Sequence, residues 1–286
     1  MEQKTLDAVE FRGKQREQWD SAATGWRRWS ALIDEAASGI SERLVDLAGV
    51  EPGSKVLDVA AGYGEPSLSA ARRAGAEGSV IATDISAEML AFGRERAAAA
   101  GLENIEFVQS DAASLEFPEA SFDAALSRWG IIFEPDGEAA AARVRTFLKP
   151  GARMAASSWA SPDRVPFLAI PMQTAMQRLN VPPPPPGTPG PLSRPTPEAL
   201  SGLLEAGGFS DIEVEEGGVT MEWQSPEEFT TFIREIAPPI TAMIAPHPKQ
   251  VQDETWAAIT EAIREVAADD GAVRLTSVAL LAAGRA

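Results

Sequence analysis

Cysteine is absent from the 286 residues, and histidine and tyrosine occur once each, as His247 and Tyr63. Disulfides and thiolate metal sites are thereby excluded, and one imidazole gives no basis for a histidine-built metal site. Positive charge is scarce: 25 Lys and Arg stand against 42 Asp and Glu, a net charge of −17. That balance repels phosphate backbones and anionic lipid surfaces. The basic residues offer only isolated pairs such as Arg27-Arg28 and Arg72-Arg73. Neither a signal-peptide pattern nor an apolar run of about 18 residues appears, so a soluble, cytoplasmic protein is expected. No metal, nucleic-acid partner or membrane insertion is expected. Oligomeric state is not legible.

What is present centres on KVLDVAAGYGEPS, Lys55 to Ser67. Val56, Leu57 and Val59 form an apolar run with Asp58 inside it, bounded by Pro52-Gly53 and a glycine loop, which reads as a buried parallel strand. SLSAARRA follows as a helix. Strand, glycine loop and helix begin a nucleotide-binding unit, in which glycines let the backbone approach a ligand and the helix start offers free N–H groups. A dinucleotide fingerprint needs a third glycine where Ser67 stands. Asp58 is also the wrong charge for a pyrophosphate and the right one for a cationic ligand.

The stretch resembles motif I of class I S-adenosylmethionine (SAM)-dependent methyltransferases, matched by Asp58, Ala60, Gly62 and Gly64, with alanine in the first small position instead of the commoner glycine. Three further strands follow at Ser79–Asp84, Asn104–Gln109 and Ser121–Ser127. Asp84 closes the first of these, where a carboxylate accepts both ribose hydroxyls of an adenosine. Ser86 caps the next helix, and Met89 is expected to face the adenine, beside Ile85. The resemblance implies that Asp111 accepts from the adenine amino group, that the Ala112 N–H reaches a ring nitrogen, and that Ser127, Arg128 and Trp129 lie near the methionine arm. A helix over 136–148, a turn at Lys149-Pro150-Gly151 and a strand at Arg153–Trp159 complete the match, which covers residues 50 to 160. Beyond them the layout looks like the small-molecule branch that includes quinone-biosynthesis methyltransferases.

The implied fold is α/β: a Rossmann-like seven-stranded methyltransferase sheet, mostly parallel with the last strand antiparallel, helices on both faces, and a helical cap. Residues 1–50 read as an N-terminal helical lid and 51–160 as the SAM-binding core. Residues 161–224 hold a Pro-rich loop (Pro182 to Pro186 at its centre), a helix and a sixth strand at Ile212–Trp223, bulged at Gly217-Gly218. Ser225-Pro226-Glu227-Glu228 is a capping box that opens a cap insertion over 225–270, with an apolar stripe of Val251, Trp256, Ile259, Ile263 and Val266. The last strand lies in 271–286.

The implied activity is methyl transfer from SAM, leaving S-adenosylhomocysteine, to a small apolar or aromatic metabolite, mainly by proximity and desolvation. The other reading is a SAM-binding protein that senses or recruits without transferring a methyl. Trp19, Trp26, Trp29, Arg128, Trp129 and Trp159 are candidates for the substrate pocket. His247 and Tyr63 are the catalytic candidates, and Glu134 and Asp136 lie near the mouth, the latter equally suited to capping a helix. No general base stands out.

Overall fold

The computed structural model describes residues 7–185 and 187–286. One 40-residue helix, α1 (Ala8–Leu47), starts at the Asp7 carboxylate, which caps the Val9 and Glu10 N–H groups. Its buried side includes Ile33, Ala37, Ile40 and Leu44, a spacing of one helical face. After it come β1 (Lys55–Val59), α2 (Ser67–Ala74), β2 (Ser79–Asp84), α3 (Ala87–Ala99), β3 (Ile105–Gln109), β4 (Phe122–Arg128), α4 (Gly137–Phe147) and β5 (Leu148–Trp159). The rest is α5 (Pro166–Leu179), α6 (Pro197–Ala206), β6 (Ser210–Trp223), α7 (Pro226–Ile236), α8 (Pro238–Ile244), α9 (Lys249–Arg264) and β7 (Val273–Arg285).

The seven strands form one sheet in the order β3-β2-β1-β4-β5-β7-β6. The pairs from β3 through β5 are parallel, and β7 runs antiparallel to both β5 and β6. This is the Rossmann-like arrangement expected. β1 is buried after its first residue and flanked by β2 and β4, as its apolar run requires. No helix among the described residues is long and apolar enough to cross a membrane.

Several details differ from the sequence reading. The expected bulge at Gly217-Gly218 is not there: these residues pair in register with Ala279 and Val278, and the irregularity falls between Ser210 and Glu213. Glycine serves a different end at 217, because a Cβ would come within 2.4 Å of Ile40 Cδ1 on α1. The Lys149-Pro150-Gly151 turn lies inside β5, where Leu148 opposes Phe122 and Arg153 opposes Ala124, so the residues between loop out. Pro186 of the five-proline run lies outside the described residues. The half-buried stretch after it packs inward, with the Gly190 N–H and Ser193 hydroxyl both donating to the Ile132 carbonyl. Of the cap stripe, Trp256, Ile259 and Ile263 are buried, whereas Val266 lies past the end of α9 and is exposed.

Gly25 lets α1 and α7 touch. A Cβ there would meet the Glu235 carbonyl oxygen at 2.3 Å, whereas at Gly39, on the same helix, it would meet nothing within 4 Å. Gly25→Ala is therefore expected to cost about 1–3 kcal/mol by overpacking against rigid backbone. Gly39→Ala is expected to stabilise by about 0.5–1 kcal/mol through helix propensity alone. Urea midpoints of the two variants check the pair, and a shift of the same sign in both would refute the close approach.

Candidate active site

The carboxyl ends of β1 to β4 open onto a cleft of about 880 Å³. Its floor is the loop after β1, where Ala60, Gly62 and Gly64 hold φ of 59°, 53° and 114°. Positive φ is routine for glycine and strained for alanine, by roughly 1–2 kcal/mol. The Ala60 methyl also explains a glycine elsewhere: a Cβ at Gly130 would lie 2.4 Å from it. The residue before, Trp129, holds φ 52° as well. Two non-glycine residues in left-handed backbone thus face each other across the β1 and β4 ends.

The acids are placed by strand ends. Asp84, closing β2, is buried yet borders the cleft, and its two oxygens accept from the Gly62 and Ser86 N–H groups, each at 2.8 Å. Burial raises its pKa to about 6, against the pull of those N–H groups. Ile85 and Met89 lie beside it, with the Ser86 hydroxyl capping α3 at the Met89 N–H. Past β3, Asp111 caps a short turn through the Ser114 N–H, and the Ala112 N–H makes a 3.3 Å bond to Glu134 Oε1. Of the residues the sequence reading selected, Ala60, Gly62, Tyr63, Asp84, Ile85, Met89, Asp111, Ala112, Arg128, Trp129, Trp19 and Trp26 all border this cleft.

Others do not. Asp58 is wholly buried under the loop, with one oxygen accepting from the Ser67 hydroxyl at 2.5 Å and the other without a partner among the described residues. Burial lifts its pKa to about 7, against the Ser67 bond. Gly64 turns the loop beneath the surface. The Ser127 hydroxyl is a brace, donating to the Val59 carbonyl and accepting from the Ile131 N–H at 2.9 Å each. Trp29 is about 80° around the helix from Trp19. Its ring packs on Phe232 and its N–H donates to Glu235, so it pins α1 to α7 and reaches neither cavity.

His247 sits in the turn between α8 and α9, outside both cavities. Tyr63 donates its phenol proton to Asp34 at 2.9 Å, and burial pushes its pKa up to about 12. It braces the loop and is no base at neutral pH. Asp136 caps α4 through the Ala139 N–H.

A second cavity, of about 780 Å³, adjoins the first. Trp19, Trp26, Trp129 and Phe133 border both. Its other walls include Trp159, Phe167 and Leu168 from β5 and α5, Val219 and Met221 from β6, and Phe232 and Ile236 to Ile240 from α7, α8 and the turn between them. Every lining side chain is apolar. Trp129 stacks on Trp159 at 4.4 Å and 7°, a flat aromatic wall.

Sequence reasoning missed the straps from α1. Arg12 bonds Glu134 at 3.1 Å and lies 3.6 Å from Asp111, Gln15 donates to the Phe133 carbonyl, and Asp20 accepts from the Ser86 hydroxyl at 2.6 Å. Burial raises the Glu134 pKa, opposed by Arg12. It also missed Glu65, which borders the cleft with one oxygen 3.7 Å from Arg72 and the other buried without a partner among the described residues.

A sequence model described as a methyltransferase domain matches residues 56–151. The chain is 36% identical over 138 residues to the ubiquinone/menaquinone biosynthesis C-methyltransferase UbiE of Teredinibacter turnerae, covering 46% of this chain and 55% of that one. It is 37% identical over 149 residues to protein Rv1405c of Mycobacterium tuberculosis, covering 50% and 53%. The chain thus spans about half the length of the curated relatives it matches. Among solved structures, YcgJ of Bacillus subtilis superposes with a TM-score of 0.55 at 18% identity, over 86% of this chain and 98% of that one. The cyclase SpnF gives 0.53 at 22%, over 87% and 82%, so the fold is shared with a protein named for other chemistry. By sequence, residues 56–151 are thus a methyltransferase domain, similar to those of class I S-adenosylmethionine-dependent methyltransferases, and the seven-stranded sheet carries it.

Proposed function

We propose that this chain transfers a methyl group from SAM to a small, flat, apolar or aromatic metabolite. The observation that carries the reading is a pair of cavities sharing one aromatic wall, one edged with carboxylates and the other wholly apolar. The first suits an adenosyl sulfonium. Asp84 accepts the ribose hydroxyls through the lone pairs its backbone donors leave free, Asp111 faces the adenine, and the loop at Ala60 to Gly62 lets the ligand approach backbone. Bound SAM supplies an already activated methyl on a good leaving group.

The protein's part is placement. Trp129 and Trp159 stack the acceptor, Trp19 and Trp26 close over it from α1, and the apolar walls exclude water from the line of attack. No side chain of the second cavity takes up a proton. The acceptor therefore brings its own nucleophile, a carbon or other centre that loses its proton to solvent or beforehand. The curated UbiE relatives are named as C-methyltransferases of quinone biosynthesis, which supports a ring carbon. We read the N-terminal turns of α1 as a lid and α7–α8 as a cap over the acceptor. Each lies against the cavity it would close, and the Arg12, Gln15 and Asp20 bonds would latch the lid.

Production of S-adenosylhomocysteine, measured with SAM against a panel of quinols, phenols, amines and thiols, tests the reading. Turnover is expected with planar apolar acceptors and not with charged ones such as amino acids. Activity confined to charged acceptors overturns the assignment of the second cavity.

A further inference from the structure

We infer that the second cavity reads an oxygen on its acceptor through the indole N–H of Trp159, which narrows the acceptor to phenols, enols and ring ketones. This deepens the proposed function and rests on it. Four indoles line that cavity, those of Trp19, Trp26, Trp129 and Trp159. Trp26 donates its N–H to the Ile236 carbonyl at 3.1 Å, and Trp129 donates to the Ser158 carbonyl at 3.3 Å. Trp19 is half-buried on α1, within reach of water. Trp159 closes β5 and is 7% exposed, and among the described residues its N–H has no hydrogen-bond partner. Nor is that N–H one of the unpartnered donors sealed away from open space. It therefore opens onto the space its ring lines, which is the second cavity and not the first.

The ring is held in place. Trp129 stacks on it at 4.4 Å, and Phe167 packs against it at 5.0 Å and 70°. A donor fixed in a cavity wall without a partner is costly unless a ligand takes it up. The rest of the wall is apolar, so this one contact sets orientation while the wall supplies affinity. An indole N–H donates and never accepts. It thus selects an oxygen with a free lone pair over a hydrocarbon edge or a protonated amine. It also favours a phenolate over its phenol, because a hydrogen bond to the charged form lowers the pKa. That suits a cavity that offers no base.

Proton–nitrogen NMR of the indole N–H groups tests the assignment with 2-naphthol and 2-methylnaphthalene, which differ by hydroxyl for methyl. The Trp159 signal is identified by its loss in Trp159→Phe, or by its contacts with Trp129 and Phe167 should that variant fail to fold. 2-Naphthol is expected to move this signal downfield relative to 2-methylnaphthalene. In titrations, Trp159→Phe is expected to weaken 2-naphthol about fivefold beyond its effect on 2-methylnaphthalene. An equal loss on both probes would show that Trp159 only fills space. A hydroxyl-dependent shift confined to another indole would give the role to that residue, and either result overturns the inference. Failure of both probes to bind overturns the flat, apolar acceptor on which it rests. Protein that meets these expectations yet binds no SAM keeps the oxygen contact and loses the methyltransferase reading, so the two failures are told apart.

Discussion

Asp84→Asn is expected to weaken S-adenosylhomocysteine binding about a hundredfold. In the proposed function the ionised carboxylate at the end of β2 accepts two ribose hydroxyls, and hydrogen bonds to a charged acceptor are worth about 1.5–3 kcal/mol each. The amide retains one acceptor oxygen and no charge, so one of the Gly62 and Ser86 N–H groups also loses its partner. Calorimetry on the variant measures the loss, which should shrink for an analogue lacking the ribose hydroxyls. An undiminished affinity would remove the adenosine from this end of the cleft.

The second large effect is on stability against pH. Asp58 and Asp84 are buried carboxyls with pKa values raised from 3.8 to about 7 and about 6. Between those values and 3.8 the folded state holds more protons than the unfolded one, so stability falls as pH rises. Their contribution is fully present below the unfolded pKa and is gone once pH passes the folded values. For Asp58 the change corresponds to about 4 kcal/mol as an upper bound. Asp58→Asn should therefore raise the unfolding midpoint of the ligand-free protein at about pH 8 and make little difference near about pH 4. A cationic ligand favours the charged carboxylates, so SAM should bind more tightly at the higher pH and flatten the profile. Urea unfolding across that range, with and without SAM, checks both signs. A ligand-free profile that rises with pH would contradict the burial argument.

The sheet and the acids on the cleft edge were legible because their signals are local. An apolar run, two glycines and an acid at the end of each strand are fixed within a few residues of one another, and the structure puts Asp84 and Asp111 on the cleft edge. What the sequence did not reveal depends on pairings that no spacing encodes. Arg12 meets Glu134 across 122 positions, and Trp26 donates to the Ile236 carbonyl across 210. Trp29 shares a helical stripe with Trp19 and Trp26 only coarsely, and the rotation that separates it matters once α7 packs beside it. Asp58 and Ser127 were sought in the cleft because they lie near the strand ends by the loop, yet the Ser67 hydroxyl draws the first inward, and the Val59 carbonyl and Ile131 N–H hold the second.

Because the same Trp19 and Trp26 bound both cavities, the proposed donor and acceptor are expected to bind with coupled affinities. Whichever compound orders that shared helix first lowers the entropic cost to the other, and by linkage the favour is returned in equal measure. Kinetically this makes α1 the natural origin of an obligatory sequence of arrival and departure. On the proposed function, product-inhibition kinetics are expected to show such an order, with the methyl donor first on and its product last off.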